Sequence, residues 1–307
     1  MDYKKIFRGK RLRQNILRFL SFVPDRTMVR LQYRIKFGRW PDLRNPKRFT
    51  EKLLLYKIDY HNPLMPVCSD KYAVREFLEN KGLGNLLPEL YGVFDRADDI
   101  PFESLPDKFV IKTNDGGGGD NIVICRDKRS LDIPSVVRRV NSWLGKKNAN
   151  PGREWAYSLI PKSVVIVEEL LENPDDPEGG IEDYKFFCFD GKPFCLQYDR
   201  GRQGDHRRNF YDMDWTDMHI KSIKPGLDST VPVPEGFDEM KRVAAALSKG
   251  FPHVRVDLYS VGGKVYFGEM TFYTAAGYTW FDPDSFDTVL GDQFDVSSFL
   301  PKKAGNK

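Results

Sequence analysis

Apolar and polar positions change period along this chain, and the changes outline its elements. Over roughly the first 60 residues apolar side chains recur at helical spacing, interrupted at Pro24, Pro41 and Pro46. The segment DKYAVREFLENK predicts a helix that Ser69 or Asp70 can cap and Gly82 can stop. From Leu90 the period shortens to that of strands: LYGVF, DKFVIKTN and NIVICRD are short runs rich in Val, Ile and Phe, bounded by Pro, Asp and Gly. A helix over about Pro134 to Leu144 follows. The continuous apolar run KSVVIVEELL then predicts a buried central strand that closes on Glu168 and Glu169. DYKFFCFDGKPFCLQYDR is a hairpin about Asp190-Gly191, and NFYDMDW a further strand. After a helix of about Pro234 to Lys249, HVRVDLYSVGGKVYFGEMTF reads as two strands around a glycine turn. Hairpins instead of regular strand-helix alternation predict an α+β protein, not a doubly wound sheet.

With 307 residues, 40% hydrophobic and 30% charged, the chain can bury a sizeable core. No run approaches the roughly 18 to 20 apolar residues of a membrane span, and no hydrophobic signal core follows MDYKKIFRGK, so the expected compartment is the cytoplasm. Cys68, Cys125, Cys188 and Cys195 form no CxxC pair and are expected as reduced, mostly buried thiols. Charge is distributed unevenly. Residues 1 to 48 hold fifteen Lys or Arg against Asp2, Asp25 and Asp42, a balance of +12, which leaves −8 for the remainder of a chain whose net charge is +4. Such a block favours an anionic partner. Within residues 1 to 20, Ile6, Phe7, Leu12, Ile16 and Leu17 alternate with basic residues. Two readings stand: an amphipathic helix making peripheral contact with anionic lipid at the inner face of the membrane, or a helix docked on its own domain.

The candidate chemistry begins at DGGGGDN. Gly116, Gly117, Gly118 and Gly119 lie between two predicted strands, where backbone amides can approach phosphate oxygens, although the Lys-Ser/Thr of a P-loop is missing. Such a tetrad is also an ordinary flexible turn. Lys112, on the preceding strand, favours the phosphate reading, because a lysine inside an apolar strand calls for an anion. Asp183 and Lys185, two apart on a strand, share a face and suit a sugar hydroxyl beside a phosphate; an edge-strand ion pair is the plain alternative. Arg200, ending the same hairpin, either binds an acyl phosphate or carboxylate or is an exposed strand-end arginine. In the last hairpin Arg255 and Asp257 share a face and Glu269 lies on the partner strand, two carboxylates suited to Mg²⁺ already bound to nucleotide phosphates. A two-residue Gly262-Gly263 turn would pair Asp257 with Gly268 and turn Glu269 away. The reading therefore expects a three-residue loop, Gly262 to Lys264 with a bulge, that sets Asp257 opposite Glu269.

This ordered set resembles the ATP-grasp superfamily, and DKYAVREF, FVIKTNDGGGG, EDYKFFCFDGKP, HVRVDLY and YFGEMTFY are most similar to the TupA-like ATP-grasp proteins of bacterial surface-polysaccharide loci, over roughly residues 45 to 290. The resemblance implies an ATP-grasp fold, two α+β subdomains clasping ATP between them behind a basic helical N-terminal extension. Its divisions would be 1–60, 61–105, a glycine-loop lid at 106–170 and a metal-binding part at 171–307. It further implies that Lys71 and Lys112 contact phosphates under the glycine loop, and that Glu168, Glu169 and Leu170 form the adenine hinge. Asp183 would bind ribose and Lys185 a phosphate or activated carboxylate. Arg255, with Arg200 as a further catalytic candidate, would stabilise the charged intermediate, and Asp257 and Glu269 would hold Mg²⁺. Thr271 stands where many ATP-grasp ligases have Asn, a neutral oxygen ligand that puts a second metal in doubt. The implied activity is carboxylate-amine ligation through an acyl phosphate, with ATP, an anionic saccharide or polysaccharide precursor and an amine or amino acid as partners. Alternatives are an ATP-grasp kinase acting on a sugar hydroxyl and a glycosyltransferase-like protein, for which Asp212-x-Asp214 is the only near DxD motif. Nucleic acid is not an expected partner, since the basic block lacks stacking aromatics and reader motifs.

Overall fold

A computed structural model of the chain describes residues 19–117, 121–145, 152–173, 180–202 and 204–299. The amphipathic segment, apart from Phe19 and Leu20, and Gly118 and Gly119 lie outside the described residues. The helices and strands in chain order are α1 (Asp25–Phe37), α2 (Phe49–Asp59), α3 (Leu64–Ser69), α4 (Val74–Asn80), β1 (Leu90–Phe94), β2 (Phe109–Thr113), β3 (Ile122–Cys125), α5 (Ile133–Asn141), α6 (Trp155–Ser158) and β4 (Val165–Glu168). They continue with β5 (Asp183–Phe189), β6 (Lys192–Arg200), β7 (Arg207–Asp212), α7 (Phe237–Ser248), β8 (His253–Val261), β9 (Lys264–Thr271) and α8 (Phe286–Gln293). The short helices α3, α6 and α8 carry no strong periodic signal and were not expected from the sequence.

Two antiparallel sheets organise the molecule: β1-β4-β2-β3, and β7-β6-β5-β8-β9. As its unbroken apolar run implies, β4 is an inner strand, buried along its whole length between β1 and β2. The small sheet takes β1 from ahead of residue 106 and closes a core of its own with Val140 of α5, Phe109, Ile111, Val165 and Val167. In the larger sheet β5 is the middle strand, which removes the edge-strand reading of Asp183 and Lys185.

Alternation divides the larger sheet. On one face Phe186 packs on Phe237 of α7, and the Cys188 thiol points at Ala244 of the same helix. On the other, Phe187, Phe189 and His253 pack on Phe49 of α2, while the Tyr56 hydroxyl donates to His253 O at 2.9 Å. Each buried aromatic of this kind contributes roughly 1.5 to 3 kcal/mol of hydrophobic stabilisation. The same face continues upward into Asp183, Lys185, Arg255 and Asp257, so the apolar half of one surface anchors its polar half. All four cysteines are free and buried.

Helix α2 is the keystone of the lower half. Its Glu51 carboxylate accepts from the backbone N–H groups of Asp42, Lys47 and Arg48, which fixes the proline-containing approach and supplies a capping box. Asp287 of α8 in turn accepts from the N–H and hydroxyl of Thr50, at 2.9 and 2.7 Å. Among the described residues, no helix is long and apolar enough to cross a membrane.

Candidate active site

A cavity of about 550 Å³ opens between the two sheets. Its first wall comes from β2, β3 and the end of β4, with Val110, Ile122 and Ile124 supplying apolar surface and Glu168, Glu169, Leu170 and Leu171 closing one side. Phe267 of β9 adds an aromatic ring from the second sheet. An apolar slot edged by backbone just beyond a strand end is the chemistry that a heteroaromatic base requires.

Two lysines enter this cavity from separate elements. Lys112 projects from β2, and its ammonium is bound by Glu168 of β4. The anion that a lysine in an apolar strand calls for is thus Glu168, with the cavity open beside it. Lys71 follows Asp70, whose carboxylate accepts from the N–H groups of Tyr72 and Ala73 at 2.8 and 3.0 Å, forming the turn that leads into α4. The Lys71 ammonium donates to Gly116 O and lies 3.9 Å from Glu269. Burial pulls Lys71 below the ordinary lysine range, against the opposing charge of Glu269. Asn114 ties these parts together: its amide donates to Asp70 and to Lys162 O, and its oxygen accepts from Val164 N. Gly116 makes a tight turn after β2, since a Cβ there would lie 2.9 Å from the Thr113 hydroxyl.

Next to the cavity, joined to it through its lining residues Asp183 and Lys71, a chain of charges runs over the upper face of the larger sheet. Lys185 bridges Asp183 at 2.9 Å and Asp257 at 3.2 Å. Arg255 donates to both carboxylate oxygens of Asp257 at 2.7 Å, to the Thr271 hydroxyl at 3.1 Å and to Glu269 at 3.4 Å. Asp257 does sit opposite Glu269, but the three-residue loop that was expected to achieve this is absent. Val261 pairs with Lys264 across a two-residue Gly262-Gly263 turn with both φ positive, and the odd residue is a bulge at Gly268. A side chain at Gly268 would come within 2.9 Å of Asp257 O and of the Tyr259 ring. Burial pushes Glu269 upward, yet Lys71, Arg255 and Lys185 override it and hold the carboxyl down at about 2.

Arg200 does not join this group. A second bulge, at Phe194 between the pairs Cys188-Pro193 and Phe187-Cys195, reverses the parity of β6, so that Asp183 faces Asp199. Arg200 is thereby directed to the opposite face, half exposed and 3.7 Å from Glu182. Asp199, which the sequence reading missed, takes its place: Arg208 donates to it at 2.6 and 3.1 Å, Gln197 donates at 2.8 Å, and Lys185 is 3.9 Å away. Burial raises Asp199, but Arg208 prevails and holds it at about 2. Arg202, also unforeseen, binds Asp183, the residue expected to meet ribose. The Asp212-x-Asp214 pair is a turn in which Asp212 accepts from the N–H groups of Asp214 and Thr216, at 2.9 and 2.8 Å.

As a metal site the donor set is hard oxygen throughout: Asp257, Glu269 and Thr271. Among the described residues no three His, Cys, Asp or Glu side chains converge on one point. Two carboxylates already matched by Arg255 and Lys185 do not make an all-protein cage. A pair of carboxylates of this kind suits a Mg²⁺ ion only if that ion keeps waters and other oxygen ligands in its shell.

The model of the TupA-like ATP-grasp family matches residues 51–295. The chain belongs to that family. No curated protein matches this TupA-like chain. Solved structures with local similarity include D-alanine--D-alanine ligase from Bacillus anthracis, 19% identical, covering 67% of this chain and 57% of that one, TM-score 0.42. The same enzyme complexed with ATP is 16% identical, covering 74% and 63%, TM-score 0.45. An ADP complex of purK, N5-carboxyaminoimidazole ribonucleotide synthetase, is 13% identical, covering 67% and 45%, TM-score 0.39. The chain therefore spans less than two thirds of the length of each of these enzymes.

Proposed function

We propose that this protein is an ATP-dependent ligase that joins an amine or amino acid to a carboxylate of an anionic saccharide, as in a bacterial capsule or cell-wall polysaccharide precursor. The observation that carries the reading is the junction of a cavity with a charge cluster: Lys71, which lines the cavity with Lys112 and apolar Val110, Ile122 and Ile124, lies 3.9 Å from Glu269 of the cluster in which Arg255, Asp257 and Glu269 meet. Bound MgATP would supply the γ-phosphoryl group for transfer, with Asp257 and Glu269 as ligands of the Mg²⁺. The chain's own contribution is electrostatic and positional. Lys71 and Lys112 would neutralise phosphate oxygens, and Gly116, whose carbonyl accepts from Lys71, would keep the backbone close to them. A substrate carboxylate oxygen forms a bond to the γ-phosphorus as the β–γ bridging P–O bond breaks and ADP leaves. Arg255 and Lys185 would hold the charge that builds on the acyl phosphate. An amine nitrogen then attacks the acyl carbon, a C–N bond forms, the C–O bond to phosphate breaks, and the nitrogen loses a proton.

The test is mass spectrometry of products after incubation with MgATP, a uronic-acid oligosaccharide and pooled amino acids. The ligase reading expects ADP and phosphate release only with carboxylate and amine together, and an adduct whose mass is that of an amide. Phosphate retained on the saccharide would replace the ligase by a sugar kinase. Binding of a nucleotide sugar with no response to MgATP would replace both.

A further inference from the structure

The cavity wall on the larger sheet extends past Asp183 to three basic side chains that the phosphoryl chemistry leaves unused: Arg202 and His206, both in the β6–β7 connection, and Lys224, beyond β7. The segment carrying Lys224 is fixed to the edge strand. Arg208 N donates to Pro225 O at 2.9 Å, Leu227 N donates to the Asn209 side-chain oxygen at 2.8 Å, and the Arg207 guanidinium reaches Gly226 O at 3.2 Å. The β6–β7 connection turns at Gly201, whose φ is +66° and where a Cβ would lie 2.4 Å from Asp205 O. Both segments are therefore built into the sheet edge.

The three cations differ in what occupies them. Arg202 is engaged by Asp183, and His206 lies 3.1 Å from Asp199. Burial lowers His206 below its ordinary range, Asp199 opposes this, and the nearby charges of Lys224 and Arg208 add to the lowering. Lys224 itself has no carboxylate partner and no hydrogen-bond acceptor among the described residues, although it is half-buried and lines the cavity. By contrast, Lys71, Lys112 and Arg126 on the opposing side are each matched by a carboxylate. A cation held in a cavity wall without a counter-ion marks a place where a ligand supplies the anion. Lys71 and Lys112 face the nucleotide phosphates from the first wall, so Lys224 is left for the other substrate.

We infer that Lys224, flanked by Arg202 and His206, forms a subsite for a carboxylate of the acceptor saccharide, holding an anionic group of the acceptor beside Asp183 and Lys185 while another of its carboxylates reacts at Arg255. This inference rests on the ligase reading. It makes the acceptor a polyanion with at least two acidic groups and gives the enzyme a means of rejecting neutral sugars. The loss of one charge-assisted contact predicts about a tenfold or greater weakening of saccharide binding in Lys224→Gln.

The experiment is calorimetric titration of the full chain, saturated with Mg²⁺ and a non-hydrolysable ATP analogue, with tetragalacturonate and with maltotetraose as its neutral counterpart. Wild type is expected to bind tetragalacturonate and not maltotetraose. Lys224→Gln should lose about tenfold or more of that affinity, Lys224→Arg should retain it within about threefold, and affinity for the nucleotide analogue should stay within about twofold in both. Equal binding of the two tetrasaccharides, binding of neither, or unaltered saccharide affinity in Lys224→Gln overturns the subsite. So does a matching loss of nucleotide affinity, which would assign Lys224 to ATP. Product analysis fails separately: phosphate retained on a saccharide that still depends on Lys224 would sink the ligase reading and leave the subsite standing.

Discussion

Asp257 and Glu269 look equivalent in sequence, two carboxylates on paired strands. Their surroundings separate them. The Asp257 side chain is 2% exposed and accepts two 2.7 Å bonds from Arg255, itself 12% exposed, as well as Lys185 at 3.2 Å. In Asp257→Asn an NH₂ group replaces one accepting oxygen, and Arg255 cannot turn to water. Breaking a buried pair costs about 3 to 5 kcal/mol. Arg255 keeps Thr271 at 3.1 Å and Glu269 at 3.4 Å, and Lys185 keeps Asp183 at 2.9 Å, which places the loss near the lower end, about 3 kcal/mol. The Glu269 side chain is 39% exposed, so Glu269→Gln should cost no more than about 1 kcal/mol. At roughly 2 to 4 °C per kcal/mol, Asp257→Asn should melt about 6 to 12 °C below wild type and Glu269→Gln within about 4 °C of it. Differential scanning calorimetry measures both, and titration with the ATP analogue, with and without Mg²⁺, measures the metal's contribution. Both variants should lose the Mg²⁺-dependent gain in nucleotide affinity. Equal melting losses, or an Asp257→Asn protein as stable as wild type, would refute the division into a structural and a purely metal-directed carboxylate.

Three other outcomes follow from the same structure. Gly268→Ala should destabilise by about 1 to 3 kcal/mol in urea unfolding, because the added methyl meets Asp257 O and Tyr259 at 2.9 Å; a neutral result would mean that the bulge does not depend on glycine. Asp199, held at about 2 when folded, binds fewer protons folded than unfolded between pH 4 and 2, so its stabilisation is present above that window and lost on acidification. The stability gap between wild type and Asp199→Asn should accordingly be about 2 kcal/mol larger at pH 6 than at pH 2. Lys57 is wholly buried, donates to Ala276 O at 2.8 Å, and is lowered by burial to about 7. The folded state then binds fewer protons than the unfolded one between pH 7 and 10, so Lys57 adds to stability as pH rises across that window, and the rise in the urea midpoints should be smaller in Lys57→Met than in wild type.

Local pattern was enough for much of this molecule. The apolar run ending at Glu168 and Glu169 made an inner strand because backbone buried on both faces demands apolar side chains on both. Asp190-Gly191 made a two-residue turn because both positions take positive φ, at +47° and +77°. Motif order also carried the family, since the spacing of Lys112, Asp183, Arg255, Asp257 and Glu269 is a property of the chain itself. Which side chains share the site's face was another matter. A strand's facing has period two, so a single inserted residue inverts everything beyond it, and two bulges do so here. The one at Gly268 brought Glu269 round to Asp257 where a turn had been expected to do it. The one at Phe194 sent Arg200 away and delivered Asp199, opening the way for Arg202 and Arg208 to join. Sequence fixes where strands run and which residue types they carry; a bulge is chosen by packing across strands distant in the chain, so only the tertiary structure decides which charges meet.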